Sequence, residues 1–225
     1  MLHFFTANSN WMADGTFKMA PQLFFQLYTI HAIRDNLVFP CLCALLGRKN
    51  RRTYEEMWRL IKMYAPNLNP RFCILDFELA AKSAIISAFP HIEVRGCFFH
   101  LSQSIWRKIQ DLGLKVTYTD DEDTRLYCRM LASLAFLPPE KITEHFEELQ
   151  ENMRGTWINA WVSSMTTLRT IILEDSAEGV VGAQIPRGPL HVLLSSFGLY
   201  TTGTKSISRV QIINWKVVQR HAIHV

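Results

Sequence analysis

Short apolar runs alternate with stripes of apolar residues at helical spacing over the first hundred or so positions of this chain. Residues 10 to 16, 22 to 32 and 37 to 46 are rich in aromatic and aliphatic side chains. They are punctuated by Asp14-Gly15, Pro21 and Asp35-Asn36, which predicts three strands in antiparallel hairpins. Thr53-Tyr54-Glu55-Glu56 has the form of a capping box. Met57, Leu60, Ile61 and Tyr64 then recur at i, i+3, i+4 and i+7, the stripe of a helix that should stop before Pro66. A strand from Arg71 to Leu75, an Ala-rich helix from Glu78 to Phe89 and a strand from Ile92 to Cys97 come next. A helix from Phe99 to Leu112 follows, with Leu101, Ile105, Ile109 and Leu112 on one face and Gly113 placed to end it.

Three meandering strands followed by two strand–helix units imply an α/β fold: a mixed five-stranded sheet with flanking helices, in the element order of the ribonuclease H-like fold. This core spans residues 1 to 117. From Tyr118 the chain changes character, with the acidic run Asp120-Asp121-Glu122-Asp123 and two helices. The second helix starts after Pro138-Pro139 and carries Ile142, Phe146, Leu149 and Met153 on one stripe. Residues 118 to 153 read as the start of a helical insertion, and residues 154 to 225 as an irregular tail with no schedule of elements.

The chain has 225 residues, 48% of them apolar, enough to bury a substantial core. The longest apolar stretch, Leu37 to Leu46, is too short to cross a bilayer and is broken by Pro40. The N-terminus lacks the pattern of a signal peptide, and five cysteines at irregular spacing do not suggest a disulfide framework. Both point to a reducing compartment, cytosolic or nuclear. The net charge of +4 conceals an alternation: +6 over residues 1 to 118, −6 over 119 to 153 and +4 beyond. A basic first segment is compatible with a nucleic-acid partner.

Asp14 and Asp76 each end a short apolar run, where a sheet can aim them at a metal ion. Two-metal cleavage of phosphodiesters needs carboxylates of this kind, and Mg²⁺ takes oxygen ligands. The alternatives are a turn at Asp14-Gly15 and a helix cap at Asp76. Cys97-Phe98-Phe99-His100 is a Cys-x-x-His pair able to offer zinc two of the four ligands it takes, or else a buried thiol beside a hydrogen-bonding imidazole. Arg48, Lys49, Arg51 and Arg52 form a basic loop before the first helix that can contact phosphates or simply be solvated. Arg107 and Lys108 lie off the apolar face of their helix.

Together these residues resemble the transposase domain of Mutator-like elements. The matching blocks are Ala13-Asp14-Gly15-Thr16-Phe17-Lys18 with Pro21, Gln26-Leu27-Tyr28-Thr29-Ile30-His31, Asp76-Phe77-Glu78 with Ala80, and Gly96-Cys97-Phe98-Phe99-His100-Leu101-Ser102-Gln103. Leu134 to Pro139 and Phe146 to Leu149 look like the start of that family's helical insertion. The ordered series covers roughly residues 10 to 153. The resemblance implies a ribonuclease H-like fold and metal-dependent cleavage and strand transfer of DNA at transposon ends in the nucleus, with Mg²⁺ or Mn²⁺ as cofactor, Zn²⁺ a further option, and oligomerisation open. Asp14 and Asp76 match the first two members of an Asp-Asp-Glu metal triad, and Cys97 and His100 match the family's Cys-x-x-His motif. Arg48, Lys49, Arg51, Arg52, Arg107 and Lys108 are then candidate DNA contacts.

The third carboxylate of that family lies in a Thr-Asn-Asn-x-x-Glu-Gly-Trp-His segment, which this chain lacks. Read from the third base of each codon, residues 164 to 175 can spell Tyr-Asp-Asp-Phe-Glu-Asp-Asn-Tyr-Ile-Gly-Arg, and residues 209 to 217 can spell Ser-Thr-Asn-Asn-Lys-Leu-Glu-Gly. The Glu is forced by the Trp215 and Lys216 codons. A frameshift around residues 150 to 163 accounts for both blocks, and the coding DNA would test it. The expectation is an incomplete transposase domain, weakly active or inactive. The alternatives are a non-catalytic DNA-binding or protein-interaction module, and a decayed gene fragment.

Overall fold

A computed structural model describes residues 2–152, 180–181 and 210–214. The chain divides into two compact units, residues 1–94 with 184–225 and residues 95–183. In the first, a short helix α1 (Leu2–Thr6) precedes β1 (Asn10–Thr16), β2 (Gln26–Arg34) and β3 (Leu37–Leu46). Helix α2 (Arg51–Tyr64), β4 (Phe72–Leu75), α3 (Leu79–Ala88) and the start of β5 (Glu93–Cys97) follow. The core of the sheet runs β5-β4-β1-β2-β3, with β1 antiparallel to β2 and parallel to β4. This is the mixed five-stranded sheet with flanking helices expected of a ribonuclease H-like fold.

Local chemistry explains where the observed boundaries depart from the predicted ones. β2 begins at Gln26 rather than residue 22, because Phe24 N–H donates to the Pro21 carbonyl at 2.8 Å and closes a turn before the strand. Asp35 and Asn36 both take positive φ, 52° and 61°, as the tight β2–β3 hairpin turn requires. Pro40 has no N–H for the ladder, and the β2–β3 register shifts beside it, between Ile30 and His31. Helix α2 starts three residues earlier than the capping box suggested. Asn50 is its N-cap, with Oδ1 accepting from both Thr53 N–H and Thr53 Oγ1 at 3.0 Å.

The buried stripe of α2 keeps the predicted Met57 and Ile61 but extends toward Tyr54 and Trp58 rather than Tyr64. Tyr54, Met57, Trp58 and Ile61 face inward, whereas Tyr64 is 71% exposed. Trp58 stacks on Trp11 of β1 with ring centroids 6.0 Å apart, and Trp11 stacks on Phe5 of α1 at 4.5 Å. Phe89, just past α3, meets both tryptophans edge-on. Such pairs add about 0.5–1.5 kcal/mol each beyond the apolar area they bury. They clamp α1, α2 and the end of α3 to one face of the sheet.

The second unit contains the end of β5, α4 (Phe98–Asp111), α5 (Lys115–Asp120), α6 (Glu122–Ser133), a 3₁₀ turn (Leu134–Phe136) and α7 (Pro139–Asn152). Leu101, Ile105 and Ile109 are buried along α4, as the periodicity predicted, and Gly113 ends that segment at φ +71°. Asp121 caps α6 through Thr124. Ile142, Phe146 and Leu149 of α7 are buried, and Met153 lies outside the described residues.

The tail is not wholly without elements: β6 (Val180–Val181) pairs with the end of β5, and β7 (Val210–Asn214) pairs antiparallel with β3. The free edge of β3 presents unpaired backbone groups that a further strand satisfies. Most of the two segments that carry the shifted-frame reading lies outside the described residues. No helix among the described residues is long and apolar enough to cross a membrane.

Candidate metal centre

Asp14 lies inside β1, not in a turn. It is paired with Thr29 of β2, and Gly15 with Tyr28. The Thr29 hydroxyl donates to the Asp14 backbone carbonyl at 3.3 Å. Asp76 is the first residue beyond β4 and does not cap α3, whose N-cap residue is Glu78. The structure therefore removes both simple alternatives for the carboxylates.

The parallel β1–β4 ladder pairs Asn10 with Phe72, Trp11 with Cys73 and Met12 with Ile74. Continued two residues, the same register sets Asp14 beside Asp76. The period-2 alternation of strands places each on the face of Met12 and Ile74, and neighbouring strands lie about 4.8 Å apart. Both residues are half-buried. Burial is the main reason the Tyr28 hydroxyl is held well above its usual range. Electrostatic interaction with Cys73, Tyr54, Asp76 and Asp14 pushes the same way, so both carboxylates act on one buried ring.

A chain of side-chain contacts runs behind them. Gln26 is fully buried, and its Nε2 donates to the Tyr54 hydroxyl at 2.6 Å. Tyr54 in turn donates to Glu78 Oε2 at 2.9 Å, which also receives Lys49 Nζ at 3.1 Å. Lys49 sits over the exposed Phe17 ring, 5.2 Å from its centroid. Burial raises the Glu78 carboxyl above its ordinary range, Lys49 and Tyr54 pull it down, and the charge of Asp76 adds to the rise. The sequence reading did not assign Gln26, Tyr54 and Glu78 to the site. Only the nearness of Glu78 to Asp76 in one motif hinted at it, because Gln26 and Tyr54 are separated by 28 residues.

The donor set suits a hard divalent cation: two carboxylates, one within β1 and one just past β4, with no thiolate or imidazole needed. Among the described residues no three His, Cys, Asp or Glu side chains form a metal-holding group. Asp14 and Asp76 would thus leave the remaining positions of such an ion to water and phosphate oxygens. In the other unit, Cys97 is the buried N-cap residue of α4 and His100 lies in its first turn.

The basic cluster divides by role. Lys49 is engaged by Glu78, and Arg51 by Glu55 at 2.7 Å. Arg48 and Arg52 are exposed and line an open depression with Asn50, Thr53, Arg59 and the acidic Glu55 and Glu56. Arg51 and Arg52 belong to the first turn of α2 rather than to a loop. Arg107 is exposed on α4 and holds Gln103 at 2.7 Å, and Lys108 follows it.

Residues 10–104 match the family model of the MULE transposase domain, a span that runs from the first residue of β1 into α4. No curated protein matches the chain.

Proposed function

We propose that this chain, whose residues 10–104 match the MULE transposase domain model, binds DNA and retains weak metal-dependent cleavage of its phosphodiesters at Asp14 and Asp76. The observation that carries this reading is the β1–β4 register, which leads two carboxylates 62 residues apart in sequence to neighbouring positions, Asp14 within β1 and Asp76 just past β4. A bound Mg²⁺ or Mn²⁺ would polarise the phosphate and lower the pKa of an attacking water. Asp14 and Asp76 would hold the ion and neutralise part of its charge. The nucleophile, a water or a 3′-hydroxyl, would attack phosphorus in line with the departing oxygen. Arg48 and Arg52 would contact flanking phosphates, an attraction that weakens with salt. With two carboxylates rather than three, the charge that binds and places ions is reduced, and turnover falls with it.

Plasmid nicking in Mg²⁺ or Mn²⁺ tests this, comparing the natural chain with Asp14→Asn and Asp76→Asn. Slow nicking by the natural chain and none by the variants is the expected result; equal activity in all three excludes the metal role. The second reading is a non-catalytic DNA-binding descendant working in the nucleus. It is favoured by the absence from this sequence of the Thr-Asn-Asn-x-x-Glu segment. It expects DNA binding that falls with salt and is unchanged by either Asp substitution.

A further inference from the structure

The β1–β4 ladder ends at Met12 and Ile74, two residues short of both carboxylates. That register brings Asp14 and Asp76 to neighbouring positions, but Asp76 lies beyond the end of β4 and is not itself held by the ladder. We propose that Tyr54 holds it as a positioning residue, tying the Asp14-Gly15 segment to the Asp76-Phe77-Glu78 segment through Gln26 on one side and Glu78 on the other. The inference rests on the reading of Asp14 and Asp76 as metal ligands.

On the Asp14 side, Gln26 packs so closely on Gly15 that a Cβ there would stand 2.5 Å from Gln26 Oε1. Any movement of the Gln26 amide is thus felt one residue from Asp14. On the Asp76 side, Glu78 leads into α3 with extended backbone (φ −89°, ψ 107°) and makes no side-chain cap bond to its own helix. Its carboxylate turns to Tyr54 and Lys49 instead.

Proton accounting fixes the direction of the chain. Tyr54 has one hydroxyl proton and gives it to the Glu78 carboxylate, so it must accept from Gln26, and the amide nitrogen has to be the end that faces it. Gln26 Oε1 and Glu78 Oε1 are left buried without partners, and the Glu78 side chain is only 10% exposed. Leaving two buried acceptors unsatisfied is costly. The arrangement instead keeps β1 at Gly15 tied through Tyr54 to the segment that follows β4.

The test is Mn²⁺ binding to the full 225-residue chain, read by electron paramagnetic resonance of the free ion at a low temperature where circular dichroism shows every variant folded. Tyr54→Phe removes one oxygen and keeps the ring. Gln26→Met removes the donor to Tyr54 at similar volume. Both are expected to weaken Mn²⁺ binding about tenfold, the scale of lost support around a metal ligand. Glu78→Gln keeps an acceptor for Tyr54 and removes one nearby negative charge, so it is expected to weaken Mn²⁺ binding less than Tyr54→Phe does. Asp14→Asn should bind no Mn²⁺.

Natural affinity in folded Tyr54→Phe and Gln26→Met, with binding lost in Asp14→Asn, overturns the positioning role and leaves the carboxylate reading standing. Loss in Glu78→Gln as deep as in Asp14→Asn also overturns it, since Glu78 would then be a ligand itself. Equal Mn²⁺ binding by the natural chain and Asp14→Asn removes the carboxylate reading and this inference with it.

Discussion

Gly15→Ala tests the link between the two Asp segments through stability alone. The new Cβ would lie 2.5 Å from Gln26 Oε1, 3.4 Å from Gln26 Cδ and 3.5 Å from Tyr28 Cδ2. Only the first contact is prohibitive, roughly 1 Å inside the ordinary separation. Gln26 is fully buried with its amide tied to Tyr54, so relief requires the amide to rotate and the 2.6 Å bond to break. Losing that bond costs about 1 kcal/mol net, and up to about 3 kcal/mol where a buried partner is left unsatisfied. Alanine returns about 0.4–1 kcal/mol by restricting the unfolded chain. A net destabilisation of about 1–2 kcal/mol is expected. If the cost travels through Tyr54, Gly15→Ala should cost about 1 kcal/mol less in a Tyr54→Phe background, where the bond is already gone. Urea denaturation of the natural chain, both single variants and the double variant measures this coupling. Additivity within about 0.3–0.5 kcal/mol would refute the mechanical link.

Three further outcomes follow from other parts of the fold. Burial lowers His31 from 6.5 to about 4 in the folded chain; the unfolded state therefore binds the extra proton first as pH falls. Stability should decline by up to about 3 kcal/mol from pH 6.5 to 4 on this account, and an unchanged pH slope in His31→Leu would contradict it. Asn50→Ala removes both bonds to Thr53 and should cost about 1 kcal/mol in chemical denaturation, whereas Asn50→Asp keeps the acceptor and should cost far less; equal losses would refute the capping role. For DNA binding, the double change Arg48→Ala, Arg52→Ala should flatten the log–log salt dependence by about 2. Arg51→Ala, whose side chain is held by Glu55, should leave it unaltered, and equal slopes in all three proteins would remove these arginines from the interface.

Sequence by itself determined the order of elements, because periodicities of 2 and 3.6 are local and survive without knowledge of partners. The strands holding Asp14 and Cys97, the helix ends before Pro66 and Pro90, and the buried faces of α4 and α7 were all legible in this way. Phase was less secure. Tyr54 proved to be the inward residue of α2 and Tyr64 the exposed one, since the stripe that is buried depends on where Trp11 and Phe89 stand. The short helix α1 and the edge strand β7 have too few residues to carry a period, and packing or pairing creates them.

At the candidate site, the residue types were readable, and the ribonuclease H-like element order already made the strands of Asp14 and Asp76 neighbours; the register and the contacts around them were not readable. Two aspartates and a motif block marked Asp14 and Asp76. Their juxtaposition required the parallel β1–β4 register, a crossover that strand pattern alone does not specify. The Gln26–Tyr54–Glu78 chain joins residues 28 and 24 positions apart on three different elements. Each looks ordinary in its own segment, and hydrogen bonds between them exist only once the sheet and α2 have closed on one another. That is the part tertiary structure alone decided: a buried polar group takes whatever partner the packed core brings within reach, because leaving it without one costs more than the bond itself returns.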